Sequence, residues 1–170
     1  MPAEKLPDLL AAGLDLVLVG TAAGERSARE GNYYAHPSNR FWRTLADVGL
    51  TPREFRPSEY RELLRVGIGA TDLCKTQSGR DHAISKYDLP GFERKIRRYR
   101  PRTVAFTSKT GGSIWSGVST GKIRCGHQPL TREDFPVVFV LTSPSGAASG
   151  HWDIAPWREL AEWVRSCRQA

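Results

Sequence analysis

The chain has 170 residues, a formal net charge of +7 and a sequence pI of about 9.7. That length predicts one compact domain with a core of its own, and the charge favours an anionic partner, nucleic acid first, with a merely solvated basic surface as the other reading. No apolar run approaches the ~20 residues that span a bilayer, and residues 1–13, with Glu4, Lys5 and Asp8, lack a signal-peptide pattern.

Leu14–Val19 reads as an apolar strand, broken at Gly20 into a small-residue loop, Thr21-Ala22-Ala23-Gly24. Such a loop leaves backbone N–H groups uncovered, so a ligand can approach closely. A charged segment, Glu25 to Glu30, and the pair Tyr33-Tyr34 follow. Ser38 reads as the N-cap of a helix over about 39–48, with Phe41, Trp42, Leu45 and Val48 on its apolar face and Gly49 at its end. The spacing predicts a second helix over about 58–65 and a short buried strand over 67–71. Residues 74–89 read as a long polar loop of the kind that often carries function.

A helix starting near Pro90 turns Phe92, Ile96 and Tyr99 inward. Its other face, Arg94, Lys95, Arg97, Arg98 and Arg100, is either a solvated face or a DNA contact. Strands are predicted over 102–107 and 137–141, with a weaker one over 123–125 in a glycine-rich turn. Helices are predicted over 110–116 and 156–168, the last burying Trp157, Leu160, Ala161 and Val164. This alternation predicts a single-domain, three-layer α/β/α fold around a central, mostly parallel, four-stranded sheet. Ligands of such sheets bind beyond the carboxyl ends of the strands, here residues 20–24, 71–72, 107–109 and 142–146. Cys74, Cys125 and Cys167 are odd in number and show no zinc spacing, so reduced thiols in a cytoplasmic protein are expected. Nothing in the sequence calls for a metal or a cofactor.

Four segments share a pattern with one known family. Gly20-Thr21-Ala22-Ala23-Gly24 stands where mismatch-specific uracil-DNA glycosylases and thymine-DNA glycosylase carry G-[IV]-N-P-G. Tyr34-Ala35-His36-Pro37-Ser38-Asn39-Arg40-Phe41-Trp42 resembles that family's aromatic-AHP-x-NRFW segment. Gly69-Ala70-Thr71-Asp72-Leu73 resembles its G-[VI]-T-[KDN]-L, and Ser143-Pro144-Ser145-Gly146 its N-P-S-G. The YYAHP form also resembles the hypoxanthine-DNA glycosylase branch. The chain therefore resembles the uracil-DNA glycosylase superfamily along most of its length.

The resemblance implies a monofunctional DNA glycosylase of base excision repair, acting as a monomer on DNA that contains uracil or another damaged base. Such an enzyme flips a nucleotide out of the stack, holds its base and breaks the C1′–N bond. Backbone N–H groups of Thr21, Ala22, Ala23 and Gly24 suit the negative charge that develops on the departing base. Tyr34 matches the family's stacking position; a core role for Tyr33 and Tyr34 is the alternative. Asn39 can read a base edge or bond locally at the helix start. His36 can assist the leaving group or make a structural hydrogen bond. Ala22 replaces the family's water-positioning asparagine, which leaves Glu25, Asp72, Asn39 and Ser143 as candidates for that work; Asp72 can equally cap the following turn. Ser143, Ser145 and Gly146, with Ala147, Ala148 and Ser149, are expected along the DNA backbone, with Lys109 and Arg80 as phosphate contacts. The family's bulky wedge is Ala147 here, and His151 or Trp152 is the substitute on offer.

Two other classes compete. A lesion-binding module without useful turnover is motivated by Ala22. A small-molecule hydrolase or a nucleotide-binding enzyme lacks support, since no G-x-S-x-G, P-loop or G-x-G-x-x-G occurs.

Overall fold

In the computed structural model the described residues are 3–129 and 132–169. The core strand β1 (Leu16–Gly20) is buried along its whole length, as its unbroken apolar run requires. Parallel to it lie β2 (Ile68–Asp72) on one side and β3 (Thr103–Phe106) on the other, and β3 pairs in parallel with β5 (Val137–Val140). Leu16 is the shared register point, opposite Ile68 and Thr103.

The sheet has five strands, in the order β2-β1-β3-β5-β4, and not the four expected. The fifth, β4 (Gly126–His127), is antiparallel to β5 and forms the edge. The expected strand over 123–125 is displaced, because Ile123 turns into the core and pairing starts only at Gly126. A two-residue strand carries too little alternation to be read from composition.

Alternate residues of β1 feed two apolar layers. Leu16 and Leu18 join Phe41, Trp42, Leu45, Trp157 and Leu160 on one face; Val17 and Val19 join Phe92, Ile96, Val104 and Trp115 on the other. The helices divide accordingly. The first layer holds α2 (Phe41–Asp47) and α5 (Ala155–Gln169), and the second holds α3 (Leu89–Tyr99) and α4 (Lys109–Ser116). Asp88 caps α3 by accepting from the Gly91 N–H at 3.0 Å, and Ser108 caps α4 through the Gly111 N–H at 3.0 Å. The charged segment is a short helix, α1 (Glu25–Glu30), which no apolar period announced.

Residues Pro57–Val66 form a 3₁₀ helix where an α-helix was expected. Tyr60, Leu63 and Val66 recur every three residues, which matches three residues per turn. Ser38 is not the N-cap of α2: that position is Arg40, without a side-chain cap bond. The Ser38 hydroxyl is engaged by the His36 ring at 2.8 Å instead.

Candidate active site

Beyond the carboxyl ends of β1, β2 and β3 lies a cavity of about 1120 Å³. It is larger than the ~300–1,000 Å³ of an ordinary small-molecule pocket. This is where the strand order reverses around β1, the usual ligand position in an open parallel sheet. All the site residues expected from sequence line it except Lys109 and Ser149. Lys109 is exposed at the first turn of α4, and Ser149 is exposed in the 3₁₀ segment Gly146–His151.

The loop after β1 forms one wall. Its carbonyls are used behind it: Gly20, Thr21 and Ala23 accept from the N–H groups of Leu73, Cys74 and Gly79 at 2.8–2.9 Å. The N–H groups of Thr21, Ala22 and Gly24 donate to no backbone carbonyl among the described residues. Donors with no internal partner, on a loop whose carbonyls are turned away, suit an anionic or carbonyl-bearing ligand. The Thr21 hydroxyl donates to the Asp81 carboxylate at 2.6 Å, and Ala23 bridges to Ser78 in parallel fashion. The long polar loop is thus clasped onto the base of the cavity, and Ser78, Asp81 and His82 join its lining. Sequence reasoning missed these three, since the partners Thr21 and Asp81 are sixty positions apart.

The His36–Trp42 segment forms a second wall. The Asn39 Oδ1 accepts from the Phe41 N–H at 2.9 Å, so the local bond weighed from sequence is present. A backbone N–H can only donate, which fixes the amide's orientation and leaves Nδ2 as a donor at the cavity wall. His36 Nδ1 faces the Ser38 N–H at 3.1 Å, so Nδ1 is an acceptor and the neutral ring carries its hydrogen on Nε2. The structural bond and a ligand-facing donor therefore coexist in one ring.

Tyr33 and Tyr34 part company. Tyr33 is core, 2% exposed, with its hydroxyl donating to the Pro7 carbonyl at 2.8 Å. Tyr34 lies at φ +50, a left-handed conformation uncommon for a bulky residue, and turns toward the cavity. Its ring stacks on Phe41 with centroids 3.8 Å apart, so at most one face is left for a base. Its hydroxyl lies 3.1 Å from Thr107 Oγ1. Burial, then the nearby Asp72, pushes that hydroxyl well above the ordinary tyrosine range.

Asp72 closes the floor. It is 5% exposed and sits against Gly20, where a Cβ would collide with its carboxylate and lie 3.3 Å from the Tyr34 hydroxyl. Glycine is therefore required at position 20 by close approach. Burial pushes the Asp72 carboxyl up to about 6, against a lowering by Lys75.

The Ser143–Ala148 turn forms the third wall. Ser143 and Ser145 each accept a backbone N–H through Oγ, from Ser145 at 3.3 Å and Ala147 at 3.2 Å, leaving both O–H groups free to donate. The Arg40 N–H donates to the Pro144 carbonyl at 2.8 Å, tying this turn to the second wall. Gly146 packs on Ser38 so tightly that a Cβ would overlap it. Trp152 stacks obliquely on Trp157 of α5, centroids 6.1 Å apart, and lies under the Arg40 guanidinium at 5.4 Å. Those contacts hold it in packing, while His151 is exposed. Glu25 and Arg80 are exposed at the rim. The basic face of α3 lines no part of this cavity; Lys95 pairs with Asp8 and Arg97 with Glu93.

A deep, donor-lined cavity with a hydroxyl-bearing rim is the arrangement that a base-flipping enzyme needs. The uracil DNA glycosylase superfamily pattern matches residues 7–163, and the chain belongs to that superfamily. A protein from Methanosarcina acetivorans, whose solution NMR structure was described as that of a candidate uracil DNA glycosylase, superposes with a TM-score of 0.61. It covers 96% of this chain and 95% of its own at 19% identity, a likeness of fold. Membership places the chain among DNA glycosylases, hydrolases of the N-glycosyl bond that act on DNA in repair. No described helix is long and apolar enough to cross a membrane.

Proposed function

We propose that the chain excises uracil from DNA as a monofunctional glycosylase, acting as a monomer and leaving an abasic site. The observation that carries this reading is that donors without a partner among the described residues belong to one cavity's lining: the N–H groups of Thr21, Ala22 and Gly24, and Asn39 Nδ2. These donors stabilise the negative charge that gathers on the base oxygens as the C1′–N bond breaks. His36 Nε2–H adds a further donor at the wall. Tyr34 packs against the flipped base with the one face that Phe41 leaves free. The sugar stays nearer the rim, where Glu25 faces its developing positive charge. Ser143, Ser145, Gly146, Ala147 and Ala148 follow the backbone of the flipped strand, with Arg80 as a phosphate contact. Ala22 offers no side-chain amide to a water, so leaving-group stabilisation carries most of the rate. Among the described residues that line the cavity there is no lysine, which supports hydrolysis without a Schiff base.

The test is single-turnover base release from duplexes with one uracil or one hypoxanthine, scored by strand scission after alkali. Uracil release with strands intact before alkali is expected. A borohydride-trapped covalent adduct would refute the monofunctional reading, and tight binding without release would make the protein a lesion binder.

A further inference from the structure

The long polar loop carries a carboxylate that the proposed chemistry does not use. The Thr21 hydroxyl donates to Asp81 Oδ1 at 2.6 Å, a length usual for a hydroxyl on an ionised carboxylate and a sign of a strong bond. Thr21 is buried, and Asp81 lies at the surface beside the cavity. The bond reaches the loop whose N–H groups face the ligand, and it is one of three ties on Thr21 and Ala23. The other two are made by their carbonyls, with the N–H groups of Cys74 at 2.8 Å and Gly79 at 2.9 Å.

The loop that carries Asp81 is stiff in its own right. Gln77 Oε1 accepts from the N–H groups of Ser85 and Lys86, both at 2.8 Å, which closes residues 77–86 into a ring. Asp81 opens the short 3₁₀ turn Asp81–Ala83, held by the Ala83 N–H on the Arg80 carbonyl at 2.9 Å. The next residue, Ile84, is buried and anchors the turn in the protein. A rigid turn thus presents one acceptor to the back of a loop that holds donors on its front.

Donors that stabilise developing charge work only when their direction is fixed before the charge appears. Asp81 cannot supply that stabilisation itself, because a carboxylate beside an anionic leaving base opposes its charge. Its benefit to the reaction has to pass through Thr21. We infer that Asp81 is a positioning residue, which holds Thr21 so that the N–H groups of Thr21 and Ala22 stay aimed at the departing base. This rests on the glycosylase reading above.

The test varies the leaving group. Fluorine at C5 withdraws electrons from the base, so 5-fluorouracil departs with less help from donors than uracil needs. Single-turnover release is measured from duplexes with either base opposite guanine. Asp81→Ala should be about tenfold or more slower on uracil, as a misaimed group costs, but less than about threefold slower on 5-fluorouracil. Asp81→Asn still accepts the Thr21 hydroxyl through its carbonyl oxygen and should stay within about threefold of the wild type on both bases. Thr21→Val keeps the shape and the N–H but loses the hydroxyl; it should match Asp81→Ala, and the double variant should be no slower than either single one. Thermal melts confirm that each variant is folded. Equal slowing of Asp81→Ala on both bases overturns the inference, because a merely structural loss does not sense the leaving group. So does an Asp81→Asn variant as slow as Asp81→Ala, which would make the charge itself the active feature. Wild-type rates in Asp81→Ala, or losses that multiply in the double variant, overturn it too. All of these leave the glycosylase intact, whereas a wild type that releases neither base overturns the underlying reading.

Discussion

Asp8 and Asp72 flank one residue, Thr71, and are treated in opposite ways. Asp8 receives the Thr71 hydroxyl at 2.6 Å and the Lys95 ammonium at 2.7 Å, and pairs with Lys75 at 2.8 Å. Burial pushes its carboxyl up, but Lys75 and these hydrogen bonds outweigh it and hold it below the usual carboxylate range. Asp72, one residue on and facing the cavity, receives none of these hydrogen bonds, and burial pushes it up to about 6 against a lowering by Lys75 and Lys95. The sequence of β2 places the two environments back to back, since successive strand residues point to opposite faces. A charge that serves the fold is compensated within the fold; one left open faces a space where a ligand can complete it. Asn39 carries both conditions in one side chain, with Oδ1 bound to Phe41 N–H and Nδ2 left at the cavity wall.

The largest effect is expected where the open end is removed on its own. Asn39→Ala should lower single-turnover uracil release by about a hundredfold or more, the size usual for one donor at a developing anion. Its melting transition should fall only by the ~1 kcal/mol typical of a lost helix-start bond. A large loss of stability with near-normal release would move Asn39 to the structural side, beside Asp8.

Next comes the compensated carboxylate. Asp8→Ala leaves Lys75 and Lys95 facing each other across the gap, with side chains 10% and 29% exposed. Breaking a fully buried pair costs about 3–5 kcal/mol, and partial exposure brings the expectation to roughly 2–3 kcal/mol. Denaturant unfolding measures it. A change below about 0.5 kcal/mol would mean that the pair behaves as an exposed one and that Asp8 is not held by its partners.

Four of the five strands, the α/β/α layering and the segments that form the three walls and the floor of the cavity were legible in the chain. Apolar runs mark β1 and β5, period-3.6 faces mark α3 and α5, and small polar residues mark the strand ends. What escaped depends on distance in sequence or on competition for one group. The Thr21–Asp81 clasp joins residues sixty apart. Ser38 looked free to cap α2, yet His36, two residues back, takes its hydroxyl. Tyr33 and Tyr34 are alike in sequence and are separated only by a left-handed backbone at Tyr34.

The smallest expected effect bears most directly on the contrast, because it has the opposite sign. Asp72 has an ordinary value of 3.8 and a value of about 6 in the fold, raised by burial and by Asp8 against lowering by Lys75 and Lys95. A carboxyl raised on folding stabilises the protein only while it is protonated. That contribution is complete below about 3.8 and is lost as the pH rises through about 6. Above pH 6 the buried carboxylate is therefore a standing cost. Asp72→Asn removes the charge at constant shape, but the amide also gives up water on burial. The net gain expected at pH 7.5 is about 1–2 kcal/mol, shrinking toward zero near pH 4. Asp8 runs the other way: its lowered carboxyl stabilises above the usual carboxylate range, and that contribution fades as the pH falls. Unfolding of the wild type and Asp72→Asn across pH 4 to 8 reads both trends. A variant less stable than the wild type at pH 7.5 would show that Asp72 has found partners within the protein, and would erase the distinction between the two aspartates.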